Sequence, residues 1–268
     1  MKSFTYDGKS TDTIVDKPLS IVQFDNITDI DGFTREIIKG DKTLTRQEAN
    51  HYGSMYSDDM TYDFYLVKND GSPFTDEEQR KVNKWLTSPR LPKSLNVNCD
   101  DGDQVIYKGI FTNIGWKMIT GHWDGVKCSF TCDVPFAWKT FSKTYSITNS
   151  LTTSINIPSD DSEYEVYPKI TIKSTTRQTI IITNTTDNNN KMTISLNPNL
   201  PAKIDCKNCI ISDATSSGVI DFEDLGWSDA TNIYWIKLFD GDNSLKITGS
   251  CELTIEFEYP VKRAGDFV

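Results

Sequence analysis

Histidine is nearly missing from this chain: His51, in NHYGS, and His122, in TGHWDG, are the only 2 among 268 residues. A hydrolytic nucleophile needs a base within hydrogen-bond reach, and no G-x-S-x-G elbow accompanies either histidine; both sit in turn-rich text that reads as loop. No Walker loop and no dinucleotide glycine motif is present. Long apolar runs are missing too. No stretch approaches the roughly 18 to 20 apolar residues of a membrane span, and the opening MKSFTYDGKSTDT has no apolar signal core. The expectation is a soluble protein with no membrane insertion, made and folded in a cytoplasm.

Positive charge is also in short supply. Lysine and arginine number 28 against 38 acids, for a net charge of −10, which argues against sequence-specific nucleic-acid binding and against phosphate-backbone binding in general. An acidic wall still suits a duct through which nucleic acid passes without sticking. Cysteine is present but poorly arranged for bridges. Cys128 and Cys132, four apart on one strand face, would lie about 13 Å from each other, too far to pair. Cys206-x-x-Cys209 has neither a second C-x-x-C nor a histidine pair beside it, so small buried hydrophobes are the first reading and no metal or cofactor is expected. The acid pairs Asp58-Asp59, Asp100-Asp101 and Asp160-Asp161 would point to opposite faces of a strand, unlike the two facing carboxylates of a glycosidase. Asp240-Gly241-Asp242-Asn243 lacks the spaced ligands of a calcium loop and reads as a hairpin turn. No catalytic residues are assigned, and the chain is not expected to be an enzyme.

What the chain does have is alternation. Val126, Cys128, Phe130, Cys132 and Val134 fall at every second position, the mark of a half-buried strand. Upstream, Val105 to Trp116 carries Ile106, Tyr107, Ile110, Phe111 and Ile114 without enough regularity to assign a face. The turn formers from Thr120 to Gly125 between the two predict an antiparallel hairpin with a loop longer than two residues. Pro135 has no N–H to donate, so the ladder ends near it, with Phe136 and Trp138 packed over the sheet edge.

Elsewhere the text is equally sheet-like. Phe4 and Tyr6 alternate before Asp7-Gly8, Leu19 to Phe24 is a second strand, and Met60 to Val67 a third. Residues 29 to 57 are polar and broken, a long excursion with local strands. The one helix, Asp76 to Leu86, is announced by Thr75 and Glu78, a capping box, with Val82, Trp85 and Leu86 as its apolar stripe and Ser88-Pro89 as its stop. Residues 139 to 167 are Ser/Thr/Asp-rich, with the strand-like YSITNSLTTSINI inside, and read as the crossing between halves. KITIKS, TIIITN and KMTISL (169–174, 179–184, 191–196) predict an antiparallel meander, and a hairpin is expected where Tyr234–Phe239 and Ser244–Ile247 flank the Asp240 turn. The fold class is therefore mainly β: an α+β N-terminal domain, 1–145, and an all-β sandwich, 146–268.

Taken in order, Tyr6-Asp7-Gly8, Arg35, His51-Tyr52-Gly53, YDFYLVKNDG, the helix ending Lys84-Trp85-Leu86, Tyr107-Lys108-Gly109, KCSFTCDVPFAW and DGDNSLKITGSCELTIEFEY resemble the distal tail proteins of long-tailed, non-contractile bacteriophages across nearly the whole chain. The resemblance implies a structural virion protein: a homo-hexameric ring at the tail tip, N-terminal domains around a channel for DNA passage, and galectin-like C-terminal sandwiches projecting outward. It implies as partners the major tail tube protein and the tail-associated lysin or receptor-binding proteins. Exposed edges around residues 1 to 25 could supply the ring contacts. The rival reading is a non-catalytic carbohydrate-binding module in host-surface adhesion, with Trp227 and Trp235 as stacking residues. Trp227 lies in turn-like LGWSD and Trp235 in the apolar run NIYWIKLF, and core packing is the favoured reading for both.

Overall fold

The structure, a computed structural model, describes residues 3–22, 33–42, 48–56, 60–98, 104–119, 121–196, 198, 201–215 and 234–263. It divides into two compact units: Met1–Trp138 together with Lys262–Val268, and Lys139–Val261. Its described residues are mainly antiparallel strand with one helix.

The first unit holds β1 (Phe4–Tyr6), β2 (Lys9–Ser10), β3 (Leu19–Val22), β4 (Arg35–Lys39), β5 (His51–Tyr56), β6 (Thr61–Lys68), α1 (Asp76–Thr87), β7 (Lys93–Asn98), β8 (Gln104–Ile119) and β9 (His122–Cys132). Seven of these strands pair antiparallel in the order β3-β6-β9-β8-β7-β1-β2. Asp7 and Gly8 adopt φ of 47° and 75°, so the two-residue turn between β1 and β2 has the primed twist that hairpins favour. The core is aromatic. Phe4 stacks on Trp85 at 5.4 Å, Tyr6 meets Phe111 edge-on at 4.9 Å, and Phe111 meets Phe130 at 5.1 Å, packing that gains from ring geometry as well as from burial. The helix is held to this core by its predicted stripe and by the Trp85 indole N–H, which donates to the Tyr6 carbonyl at 2.9 Å.

The β8–β9 hairpin differs from expectation. The strands continue until Ile119 faces His122, so the connection is the short kind, and His122 is strand rather than loop, as is His51 in β5. The missing regularity of β8 has a cause. Phe111 pairs Phe130 but Asn113 pairs Ser129, leaving Thr112 as an extra residue. Inward positions therefore shift from Val105, Tyr107 and Phe111 to Ile114 and Trp116, and Trp116 packs on Phe74 at 5.2 Å. Beyond β9, Phe136 and Trp138 are buried against each other at 5.3 Å, and Trp138 pairs with Ile106 of β8.

The second unit contains most of β10 (Ala137–Ile147), then β11 (Ser150–Ile157), β12 (Lys169–Lys173), β13 (Gln178–Asn184), β14 (Asn190–Leu196), β15 (Ala202–Asp205), β16 (Ile210–Asp213), β17 (Gly241–Thr248) and β18 (Cys251–Val261). The strand orders are β16-β15-β12-β18-β10 and β11-β17-β13-β14. Inward side chains of both sheets, such as Ile170, Ile172, Leu253 and Ile255 from one and Ile180, Ile194, Leu245 and Ile247 from the other, form one cluster. That is a two-layer sandwich.

Three expectations are corrected here. Residues 139 to 167 are largely not a crossing: the strand-like text at 145–157 is the end of β10 and all of β11, with Asn149 at φ 70° between them, and β10 reaches back to Ala137. The meander is half right: β13 and β14 form a hairpin across Asn188 and Asn189, but β12 pairs with β15 and β18 in the other sheet. Asp240–Asn243 is not a hairpin turn. Gly241 to Asn243 already belong to β17, opposite β11, while Tyr234–Phe239 touches Val166 through a single bridge at Leu238. The Asn243 side chain, fully buried, donates to the Phe239 carbonyl at 2.7 Å and accepts from its N–H at 2.9 Å. Asn184 likewise donates to the Lys237 carbonyl at 2.7 Å. The amides that look like turn formers are used as clamps on an irregular segment.

Candidate functional site

The chemistry-bearing residues picked from sequence do not converge. His51 and His122 are both exposed, on separate strands. Cys128, Cys132, Cys206, Cys209 and Cys251 are free thiols, and among the described residues no group of three or more histidines, cysteines or acids could hold a metal ion. Asp240 accepts from the Ser159 N–H at 3.2 Å, a structural contact. Trp235 is half-buried, packed against the core of the second unit; Trp227 lies outside the described residues, as do the pairs Asp58-Asp59 and Asp100-Asp101.

What the first unit does present is surface built for contact. The ribbon of β4 and β5 pairs from Arg35↔Tyr56 to Lys39↔His51, separate from the main sheet, and nearly every residue in it is exposed. It is anchored at its base. Tyr56 meets Phe136 edge-on at 5.8 Å, the Arg35 guanidinium lies over the Tyr56 ring at 5.1 Å, and Lys262 approaches the same ring at 6.0 Å. Past that anchor, Ile37 and Met55 are each 54% exposed and Tyr52 66%. An isolated two-stranded ribbon is marginal in water, and large side chains exposed together on one are more than scattered surface hydrophobes. Sequence reads a polar, broken excursion with local strands here, and β4 and β5 are such strands; their pairing and exposure carry no signal, because alternation is absent when neither face is buried.

The second such surface is the β8–β9 tip, where Met118 and Ile119 are 53% and 58% exposed. Asp124 accepts from the Ile119 N–H at 3.0 Å and fixes the tip. A groove of about 300 Å³ opens beside it, lined by Tyr65, Lys117, Met118, Ile119, Asp124 and Gly125. The N–H of Phe74, just before α1, donates to the Trp123 carbonyl at 2.7 Å, and Trp123 is the strand partner of Met118. The acidic first turn of the helix, Asp76 and Glu77, therefore begins near the apolar tip. Neither surface has the depth or the convergent polar groups of a small-molecule site; both have the exposed apolar character of a protein contact.

Comparison with known proteins supplies the context for these surfaces. Residues 1–134 match the family model described as a phage tail protein N-terminal domain, and residues 136–257 the one described as a phage tail C-terminal domain. No curated protein sequence matches the chain. Among solved structures, the Dit protein of phage SPP1, described as a paradigm of the hub adsorption apparatus in phages infecting Gram-positive bacteria, superposes with a TM-score of 0.61 at 13% identity, covering 97% of this chain and 99% of that one. A chain of the phage p2 baseplate in its activated conformation with calcium gives a TM-score of 0.54 at 10% identity, over 100% and 99% of the two chains. The strontium form of that baseplate gives 0.54 at 11%, over 100% of each. At these identities the likeness is one of fold.

Proposed function

The chain belongs to the phage tail protein family in both its parts, and from that premise we propose that it is a structural distal tail protein, the hub that joins the tail tube to the host-recognition apparatus. The observation that carries this reading is the continuity of the match: consecutive N- and C-terminal tail-domain matches, on a fold shared from end to end with the SPP1 hub protein. In this reading residues 1–145 form the wall of a six-copy ring around a channel for DNA, and residues 146–268 form the outward sandwich. The major tail protein docks on one side, and lysin or receptor-binding proteins on the other. The protein is assembled in the bacterial cytoplasm and resides at the virion tail tip. Its task is assembly rather than catalysis, and a net charge of −10 suits a channel that does not hold nucleic acid.

A head-to-tail contact closing by rotation needs two different patches on one chain, and the ribbon and the β8–β9 tip are two such patches. The test is the mass of the purified full chain by light scattering across a concentration series, with negative-stain images of the same samples and of samples containing tail tube protein. Six-copy rings with a central hole are expected. A chain that stays monomeric with and without tube protein overturns the ring.

A further inference from the structure

We propose that the free edge of β11 in the second unit accepts an extended strand from a host-recognition protein, which adds to the β11-β17-β13-β14 sheet; the inference rests on the hub reading above. β11, SLTTSINI, ends its sheet, and among the described residues β17 is its one strand partner. It is paired without a bulge through eight positions, from Ser150↔Thr248 to Ile157↔Gly241. An unpaired edge is a template for another chain, and proteins blunt it with charge, proline or brevity. The other strands that end the two layers are blunted in these ways: β10 carries Lys139 and Lys143, β14 carries Lys191, and β16 has four residues and ends on Asp213. β11 has eight residues with no charge and no proline, in a chain that is 25% charged.

The ladder fixes which main-chain groups are left over. Ser244 of β17 donates its N–H to the Thr186 hydroxyl at 3.0 Å, and its carbonyl accepts from the Thr185 N–H at 2.9 Å, both just past the end of β13. Its partner Ser154 therefore directs its own N–H and C=O away from β17, and by the alternation of an antiparallel ladder so do Thr152 and Asn156. Three donor and acceptor pairs, about 6.8 Å apart, stand along the edge, the spacing that an added strand matches. The side chains narrow the partner further. On the inner side Leu151, half-buried, packs against the core at the rim of the sheet, so the added strand carries apolar residues at alternate positions there. On the outer face Lys246 is the cross-strand neighbour of Thr152, is exposed and makes no ion pair among the described residues, so an acid suits the partner's outward position beside Thr152. A second copy of this chain is the wrong occupant. Edge against identical edge is a two-fold contact, and adjacent copies of a six-copy ring are not related by a two-fold axis.

Amide hydrogen exchange, resolved to single residues by mass spectrometry, tests this on the purified full chain and on purified phage tails. In the free chain the amides of Thr152, Ser154 and Asn156 are expected to exchange fast while those of Leu151, Thr153 and Ile155, bonded to β17, exchange slowly. In tails the first three are expected to slow by at least about tenfold. Unchanged exchange of these three in tails overturns the inference and leaves the hub reading standing. Protection that appears in the purified chain as its concentration rises overturns the assigned partner, because the occupant is then a second copy. Ser154→Pro removes one outward N–H and leaves the β17 ladder intact, since proline is tolerated where the N–H faces off the sheet. The variant is expected to fold by circular dichroism and to form rings as the unaltered chain does, while its tails lack host-recognition protein and adsorb to cells at least about tenfold less. Variant tails of full composition and normal adsorption overturn the inference; if the variant does not fold, the exchange comparison decides alone. Purified tails that lack this chain overturn the hub reading and the inference with it.

Discussion

Lys68 and Glu78 form an ion pair at 2.7 Å with side chains only 6% and 8% exposed. The pair ties the end of β6 to the first turn of α1. Glu78 also accepts from the Thr75 N–H at 2.8 Å, completing the capping box, and Lys68 also donates to the Pro73 carbonyl at 2.9 Å. One carboxylate thus caps the helix and neutralises a buried cation. Burial alone would raise the Glu78 pKa, but hydrogen bonds from Lys68 and Thr75 outweigh it and hold the carboxyl below the usual range.

Removing one partner strands the other in the interior. Glu78→Ala is expected to cost about 3 kcal/mol or more, read as a drop in the urea midpoint at pH 7. Because the folded pKa is lowered, the stabilisation is full above the ordinary glutamate value of about 4.3 and is lost as pH falls through the folded value. Glu78→Gln should therefore flatten the fall in stability on acidification below that value. An unchanged acid slope in the variant would place the acid sensitivity elsewhere.

Gly109 of β8 pairs with Cys132 of β9. A Cβ there would sit 2.1 Å from the Thr131 carbonyl oxygen and 2.9 Å from the Cys132 Cα. These are backbone atoms of a paired strand, so they cannot swing aside as a side-chain end would. Gly109→Ala is expected to destabilise by about 1–3 kcal/mol, the usual range for overpacking. Gly115→Ala, on the same strand with nothing within 4 Å, is the control and should stay within about 0.5 kcal/mol. Equal thermal midpoints for the two variants would refute the steric account.

The parts of this fold that sequence reveals are those decided within a few residues. The capping box at Thr75 and Glu78, the Asp7-Gly8 turn and the alternation of β9 are local, and the structure has each of them. The Thr112 bulge is not local: it carries no residue signature and appears only when β8 is laid against β9. β12 and β13 have similar isoleucine-rich text, yet the chain changes sheet between them, because long-range partners at β18 and β17 decide which sheet each strand joins. The contact surfaces were least legible. Ile37 and Met118 carry no signal of exposure in the sequence, and only their large exposed surface among the described residues marks them out. Conversely, Trp235 reads as core or ligand platform, and it lies half-buried against the second unit's core.

The β13–β14 turn allows a conformational test. Asn188 and Asn189 adopt φ of 51° and 58°, the left-handed region that asparagine and glycine tolerate and β-branched residues do not. Asn189→Gly should leave stability within about 0.5 kcal/mol, and Asn189→Val should lose about 1–2 kcal/mol. Chemical denaturation of both decides it. A valine variant as stable as the glycine one would mean that the turn relaxes to another type.

Thiol reactivity tests the interior of both units at once. Burial pushes the Cys206 thiol up to about 12 and the Cys251 thiol up to about 11, and raises Cys128 further still. Only the thiolate is nucleophilic, so at pH 7.5 these groups are both inaccessible and protonated. Cys209, three residues from Cys206 in the β15–β16 turn, is exposed. Brief treatment of the native protein with iodoacetamide, followed by peptide mapping, should label Cys209 while Cys128, Cys206 and Cys251 stay unmodified until denaturant is added. Rapid native labelling of Cys206 would show that the turn opens far more readily than its paired neighbours allow. Labelling of Cys128 would be the more serious result, because that thiol lies on β9, between β6 and β8 in the main sheet of the first unit.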